Sequence, residues 1–283
     1  MRILLLFVTL LFLLLAFSCK KYVPADEAAF MQPGSISVST STAQGTSNHK
    51  ITDLWVYVNG QFQGAYPVEN PIPIVTRGEP VSLDIKPGIR NNGITTTRLP
   101  WLFYDWTHID TTLPGGVSFV RPFTFKYNSA VTFTWVENFE GAGFSVINSA
   151  NSDTTFSIKS AGGVEGRYMS IQGPYSSSVN IIQIESTGDG FKIPLNTPNV
   201  YLELNYKCNA DVLVGVYASS GEVKEALHLN PQSNWNKIYI QLGGAINASP
   251  ATSTHKVFFR MYKTTDQPQP ELSLDNIKLV YIP

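Results

Sequence analysis

An all-β chain of two antiparallel β-sandwich domains is what this sequence predicts, on three observations. Hydrophobic residues recur with period two from Ile36 onward, turn residues punctuate them every eight to twelve positions or so, and helical spacing is nearly absent. Composition agrees: 14% of the 283 residues are charged and 12% aromatic, with 21 Gly and 18 Pro. The charged share lies well below the ~25% of ordinary soluble domains and fits exported β proteins better than cytosolic enzymes.

The chain opens with one cation, Arg2, and an uncharged apolar run from Ile3 to Phe17. That run is shorter than the roughly 20 residues a permanent membrane helix needs, and it stands where the apolar core of a cleaved export signal belongs, so residues 1–18 are expected to be a signal peptide. Leu15-Ala16-Phe17-Ser18-Cys19 resembles the lipobox of bacterial lipoproteins. The resemblance implies that Cys19 becomes the mature N-terminus, carries lipid and holds the protein to a membrane, with Lys20 and Lys21 fitting outer-membrane delivery. Residues 19–34, with mixed charge, two prolines and little periodicity, are expected to be a flexible tether.

Residues 35–136 form the first expected domain. Ile51–Val58 alternates apolar and polar positions, Asn59-Gly60 follows, and Gln61–Tyr66 resumes the alternation, which predicts a hairpin with its tight turn at Asn59-Gly60. A further strand is expected over Val81–Ile85 before the turn Lys86-Pro87-Gly88. This run resembles the immunoglobulin-like or prealbumin-like modules of exported bacterial proteins. Trp101-Leu102-Phe103-Tyr104-Asp105-Trp106 places four aromatics in six positions and reads as a protruding loop or a core strand; as a loop, Trp101, Tyr104 and Trp106 would dock a protein partner.

Residues 137–283 have a longer β cycle, with a short helical turn expected around Val223-Lys224-Glu225-Ala226. In Val200–Cys208, alternation puts Leu202, Leu204, Tyr206 and Cys208 on one buried face, which makes Cys208 a core residue. With two cysteines in all, and the first expected to carry lipid, no internal disulfide is expected. The opening Asn138-Phe139-Glu140 and the closing Leu274-Asp275-Asn276-Ile277 resemble the jelly roll of carbohydrate-binding modules and galactose-binding-like domains. The resemblance implies that Glu140 and Asp275 approach each other and hold a structural calcium; the plainer reading puts them in a solvated turn and a strand bend. It also implies glycan recognition by aromatic faces and planar hydrogen-bonding groups, for which Tyr168, Tyr175, Tyr217, Trp235 and Tyr262 are available. Trp235 reads as core or as platform.

Charge excludes a nucleic-acid surface: residues 33–135 hold seven basic and six acidic side chains, residues 136–283 ten and thirteen. His49, His108, His228 and His255 have no metal-ligand spacing, and no nucleophile elbow, phosphate loop or dinucleotide fingerprint is present. Two distant carboxylates of a glycosidase stay open, although Glu185, Glu203, Glu222 and Glu225 carry no catalytic signature. The reading is a lipid-anchored envelope protein that binds polysaccharide without catalysis. The alternative is a structural subunit of an envelope protein complex.

Overall fold

The computed structural model describes residues 27–76, 78–174, 180–194, 196–250, 253–267 and 269–283. In the first sandwich one sheet joins β1 (Ala28–Ser39) to β4 (Ile72–Val75) on one side and β8 (Ser118–Lys126) on the other. The second sheet is built on β5 (Pro80–Arg90), which pairs with β2 (Asp53–Val58) along one edge. Its other edge is shared by β7 (Thr107–Thr112) and β6 (Arg98–Pro100), and β3 (Gln61–Pro67) closes the sheet beyond β2. Asn59 and Gly60 adopt φ of 50° and 76°, the left-handed pair that a two-residue hairpin turn demands and that these residue types tolerate best. The architecture is the expected sandwich with one departure: β1 and β8 run parallel.

The tether expected over 19–34 is overturned from Ala28 onward, where β1 begins. Ala29 and Met31 point into the core at 0% exposure while Ala28, Phe30 and Gln32 alternate away from it. Pro33 and Gly34, read as tether punctuation, mark a register shift inside the strand. A Cβ on Gly34 would stand 3.1 Å from the Pro122 backbone, so the missing side chain lets two strands approach.

The second sandwich is a jelly roll. Its five-stranded sheet has the order β10 (Val146–Asn148), β13 (Ile181–Ser186), β18 (His255–Tyr262), β15 (Val212–Ala218), β16 (Val223–Leu229). Its six-stranded sheet runs β11 (Ser157–Lys159), β12 (Tyr168–Gln172), β19 (Glu271–Tyr281), β14 (Val200–Cys208), β17 (Gln232–Gln241). The sixth strand, β9 (Thr132–Glu137), pairs with β19 beyond Asn276, which bulges at φ 53°. The second domain therefore takes its first strand from the stretch just before residue 137. The helical turn expected at Val223–Ala226 is instead part of β16, an edge strand held by β15, and a short helix α1 (Gly243–Asn247) follows β17.

The two domains share a core. Along β14 the even positions Leu202, Leu204, Tyr206 and Cys208 fill the jelly roll, as alternation predicted. The odd positions Tyr201, Glu203 and Asn205 are also buried, because they face the first domain. Trp101 (1% exposed) packs edge-on against Tyr201 at 4.8 Å and beside Tyr239 at 4.7 Å. Polar stitches flank the rings: Asn205 Nδ2 donates to Asn48 Oδ1 at 2.9 Å, and the Lys50 amide to Tyr239 Oη at 2.9 Å. The outer face of the six-stranded sheet is thus half covered, whereas the outer face of the five-stranded sheet is not covered by the first domain.

Candidate functional site

The open face belongs to the five-stranded sheet. On β18 one side of the strand, Val257, Phe259 and Met261, enters the core, so the other side carries Lys256, Phe258, Arg260 and Tyr262, of which Phe258 is fully buried beneath its neighbours, Lys256 and Arg260 are half-buried and Tyr262 is exposed. Cross-strand register sets Gln183 and Leu213 on either side of Arg260, Glu185 and Gly215 on either side of Phe258, and Tyr217 opposite Lys256. Gly215 leaves the room that Phe258 fills, since a Cβ there would lie 2.6 Å from the Phe258 ring. The Arg260 guanidinium rests over that ring at 5.0 Å. Its Nε donates to Gln183 Oε1 at 2.7 Å, Nη1 to Tyr262 Oη at 3.3 Å and Nη2 to Tyr217 Oη. Tyr217 and Gln183 also bond to each other, and Gln183 is buried at 1% exposure. A guanidinium has five N–H donors. Three are spent holding Arg260 flat, which leaves two directed away from these partners, next to the half-exposed ring of Tyr262 (49%). Preorganised planar donors beside an aromatic face suit a hydroxyl-rich ring: ordering costs are met in folding and not at binding.

A second open surface lies at the far end of the six-stranded sheet. Tyr168 and Trp235 meet edge to face at 5.2 Å, with Lys207 Nζ 5.0 Å from each ring. Trp235 is half-buried, and its Nε1 donates to Gly162 O at 2.8 Å. Beside Lys207 runs a cleft of about 240 Å³, lined by Gln232, Glu271 and Ser273 among others, where the buried Ser273 hydroxyl has no partner. The structure therefore brings Tyr168 and Trp235 together and sets Tyr217 on the opposite sheet. Tyr175 lies outside the described residues, as does Cys19.

Trp101 and Tyr104, expected to dock a protein partner, are both 1% exposed and belong to the domain junction, so neither can meet an outside protein. Three of the four aromatics in this stretch, Trp101, Phe103 and Tyr104, are buried because a junction between two sheets needs large side chains. Trp106, the third residue expected to dock a partner, is exposed, at 51%, and it is partnered within the domain: Lys86 Nζ sits 3.3 Å from its ring centroid and 4.5 Å from that of Tyr57, between two near-parallel rings. Phe62 continues the row, tilted at 5.2 Å from Tyr57 and stacked at 5.2 Å on Trp55.

Glu140 and Asp275 converge on one loop, Gly163–Arg167, where backbone amides engage one oxygen of each carboxylate. Asp275 Oδ2 accepts from the Val164 amide at 2.8 Å; Glu140 Oε1 accepts from the Arg167 amide at 2.6 Å, and the Arg167 side chain stands 3.7 Å from Glu140 Oε2. These donors supply positive charge at both carboxylates, while Asp275 Oδ1 is buried without a hydrogen-bond partner. Among the described residues no three His, Cys, Asp or Glu side chains group as metal ligands. Cys208 is a buried core residue whose thiol is pushed up to about 11 by burial.

Arg260 and Gln183 were not singled out by sequence, though one signal was present. In His255–Tyr262 the apolar alternate positions leave Lys, Phe, Arg and Tyr on one face, an unusual row for a merely solvated strand. No family model matches the chain, and no curated protein matches it. Solved structures similar to it include family 29 carbohydrate-binding modules. One is a module at 14% identity, covering 53% of this chain and 88% of that one, TM-score 0.36. A single-residue variant complexed with cellulohexaose has 13% identity, covers 54% and 93%, and has TM-score 0.36. A variant complexed with mannohexaose has 13% identity, covers 53% and 92%, and has TM-score 0.36.

Proposed function

We propose that this protein binds polysaccharide without catalysis, through the outer face of the five-stranded jelly-roll sheet. The observation that carries the reading is the Arg260 guanidinium, fixed by Gln183, Tyr217 and Tyr262 and backed by Phe258, with two donors left for vicinal hydroxyls. The non-catalytic half is supported by spacing. The carboxylates on this face, Glu185 and Glu225, are separated by Phe258 and Gly215, three strand spacings or ~14 Å apart. A glycosidase pair stands about 5–9.5 Å apart. Glu185 also lies 3.8 Å from Lys256.

The same proposal places the protein at the outer membrane, anchored by lipid on Cys19, with an immunoglobulin-like module as spacer between anchor and jelly roll. The signal-like run Ile3–Phe17 ahead of Leu15–Cys19 supports the anchor, and Cys19→Ala should move the protein from the membrane to the soluble fraction.

Affinity electrophoresis of the protein in gels containing galactomannan, xyloglucan or mixed-linkage glucan tests the binding. Saturable retardation is expected with at least one. Arg260→Gln and Tyr262→Ala should each weaken it by about tenfold or more, the scale of losing hydrogen bonds to a charged group or a stacking face. Trp106→Ala should leave it unchanged. No saturable binding to any glycan, or full binding by Arg260→Gln, would overturn the proposal.

A further inference from the structure

Where β17 meets the first domain, a crevice of about 40 Å³ opens between the two sandwiches, lined by Lys50, Thr52, Arg90, Asn236, Lys237 and Tyr239 among others. Three of these side chains are cations, contributed by both domains, and no carboxylate is among its lining residues. None of the ion pairs among the described residues involves Lys50 or Arg90. Lys50 reaches in over Asn236 Oδ1, while its own amide is fixed by Tyr239 Oη.

Two of the three cations have buried donors left over. Arg90 Nε and Lys237 Nζ are shielded from solvent and make no hydrogen bond. Lys237 (5% exposed) has one ion-pair partner, the equally buried Glu203 at 3.4 Å. That carboxylate is already shared: Tyr127 Oη bonds both its oxygens at 2.9 and 3.0 Å, and its charge also acts on Lys278. Burial holds Lys237 below its ordinary value, opposed by Glu203 and more weakly by Glu165 and Asp275. Burial, and then the charge of Arg90, hold Lys50 below its ordinary value, a sign of like charges brought together without a counter-ion. Buried donors without partners are rare in folded proteins and ask for an explanation.

We propose that this crevice is a binding site for one small oxyanion, a sulfate, phosphate or carboxylate group, held by Lys50, Arg90 and Lys237 across the domain junction. A water occupies ~10–15 Å³ by the same measure of space, so the crevice suits a few waters or one such group. The oxyanion is carried either free or as a substituent of a glycan. This site is separate from the Arg260 face and does not rest on it.

Thermal unfolding and calorimetry of the purified protein with sodium sulfate or sodium phosphate, against sodium chloride at equal ionic strength, provide the test. The expected result is a saturable rise in Tm with sulfate or phosphate that chloride does not reproduce. Lys50→Gln, an exposed position whose change leaves the fold intact, should weaken binding about tenfold or more, the effect of one lost charged hydrogen bond. Arg260→Gln should bind the anion as the unchanged protein does. A matched pair of sulfated and unsulfated oligosaccharides identifies the carrier: binding of the sulfated member alone, reduced by Lys50→Gln, assigns the ester, and exclusion of both beside binding of inorganic sulfate assigns the free anion. Sulfate and phosphate acting only as chloride does, or acting equally on Lys50→Gln, would overturn the proposal.

Discussion

Lys278 shows how far a single side chain can depart from what its residue type suggests. Lysine is seldom fully buried, yet this one is 1% exposed, donating to Thr46 O at 2.6 Å and Tyr127 Oη at 3.2 Å. Burial, opposed by Glu203 and reinforced by Lys237, lowers its pKa from the ordinary 10.5 to about 8. The folded value is depressed, so between pH 8 and about 10 the unfolded chain binds a proton here that the folded chain does not. Stability from this group therefore rises with pH through that window and is flat below it. Above pH 10 the buried Tyr104 and Tyr127, whose pKa values burial raises, act the other way, because they ionise first in the unfolded chain. Urea unfolding of Lys278→Met should show a loss on the order of 3 kcal/mol at pH 7, since Glu203 loses one of its cations and Thr46 O its donor. The rise between pH 8 and 9.5 should vanish in this variant; its persistence would mean that another group titrates there.

Elements were legible where their information is local and illegible where it is shared. The Asn59-Gly60 hairpin and the inward row of Leu202, Leu204, Tyr206 and Cys208 follow from neighbours in sequence, and both are present. The outward row of β14 was not readable, because alternation marks one face as core and leaves the other to be taken for solvent-facing, whereas Glu203 and Asn205 meet residues more than 70 positions away. The Arg260 site failed to announce itself for the same reason: Gln183 lies 77 residues from Arg260 and Tyr217 lies 43. What the site does require locally is the glycine on β15. Gly215→Ala would place a methyl 2.6 Å from the Phe258 ring and 2.5 Å from Lys224 O, costing about 1–3 kcal/mol as overpacking. The ring must shift and carry Arg260 with it. Glycan retardation should weaken along with stability in Gly215→Ala, whereas Ala226→Gly, on the neighbouring strand and pointing to the core, should lower stability with binding retained in the folded fraction. Equal binding by Gly215→Ala would show that Phe258 does not set the height of the guanidinium.

Over the whole molecule the decisive feature is the junction, which turns two sandwiches into one structural unit. Composition and strand count indicated two β domains, and that much of the architecture was readable, but no periodicity reports that Trp101 will lie between Tyr201 and Tyr239. The backbone joins too: Asn91 bridges to Tyr239, and the Asn92 amide donates to Tyr239 O at 2.9 Å. A junction holding Trp101, Phe103 and Tyr104, with each large apolar side chain stabilising by about 1.5–3 kcal/mol when buried, couples the domains strongly relative to a marginal fold. Calorimetry should accordingly show a single unfolding transition for the unchanged protein. Trp101→Ala should cost about 3–5 kcal/mol and, because that loss falls on the contact between domains, separate the endotherm into two. A lower but still single transition in Trp101→Ala would mean that the polar stitches around Glu203, Asn205 and Tyr239 suffice to keep the domains cooperative, and that the crevice between them is framed by hydrogen bonds and not by the aromatic core.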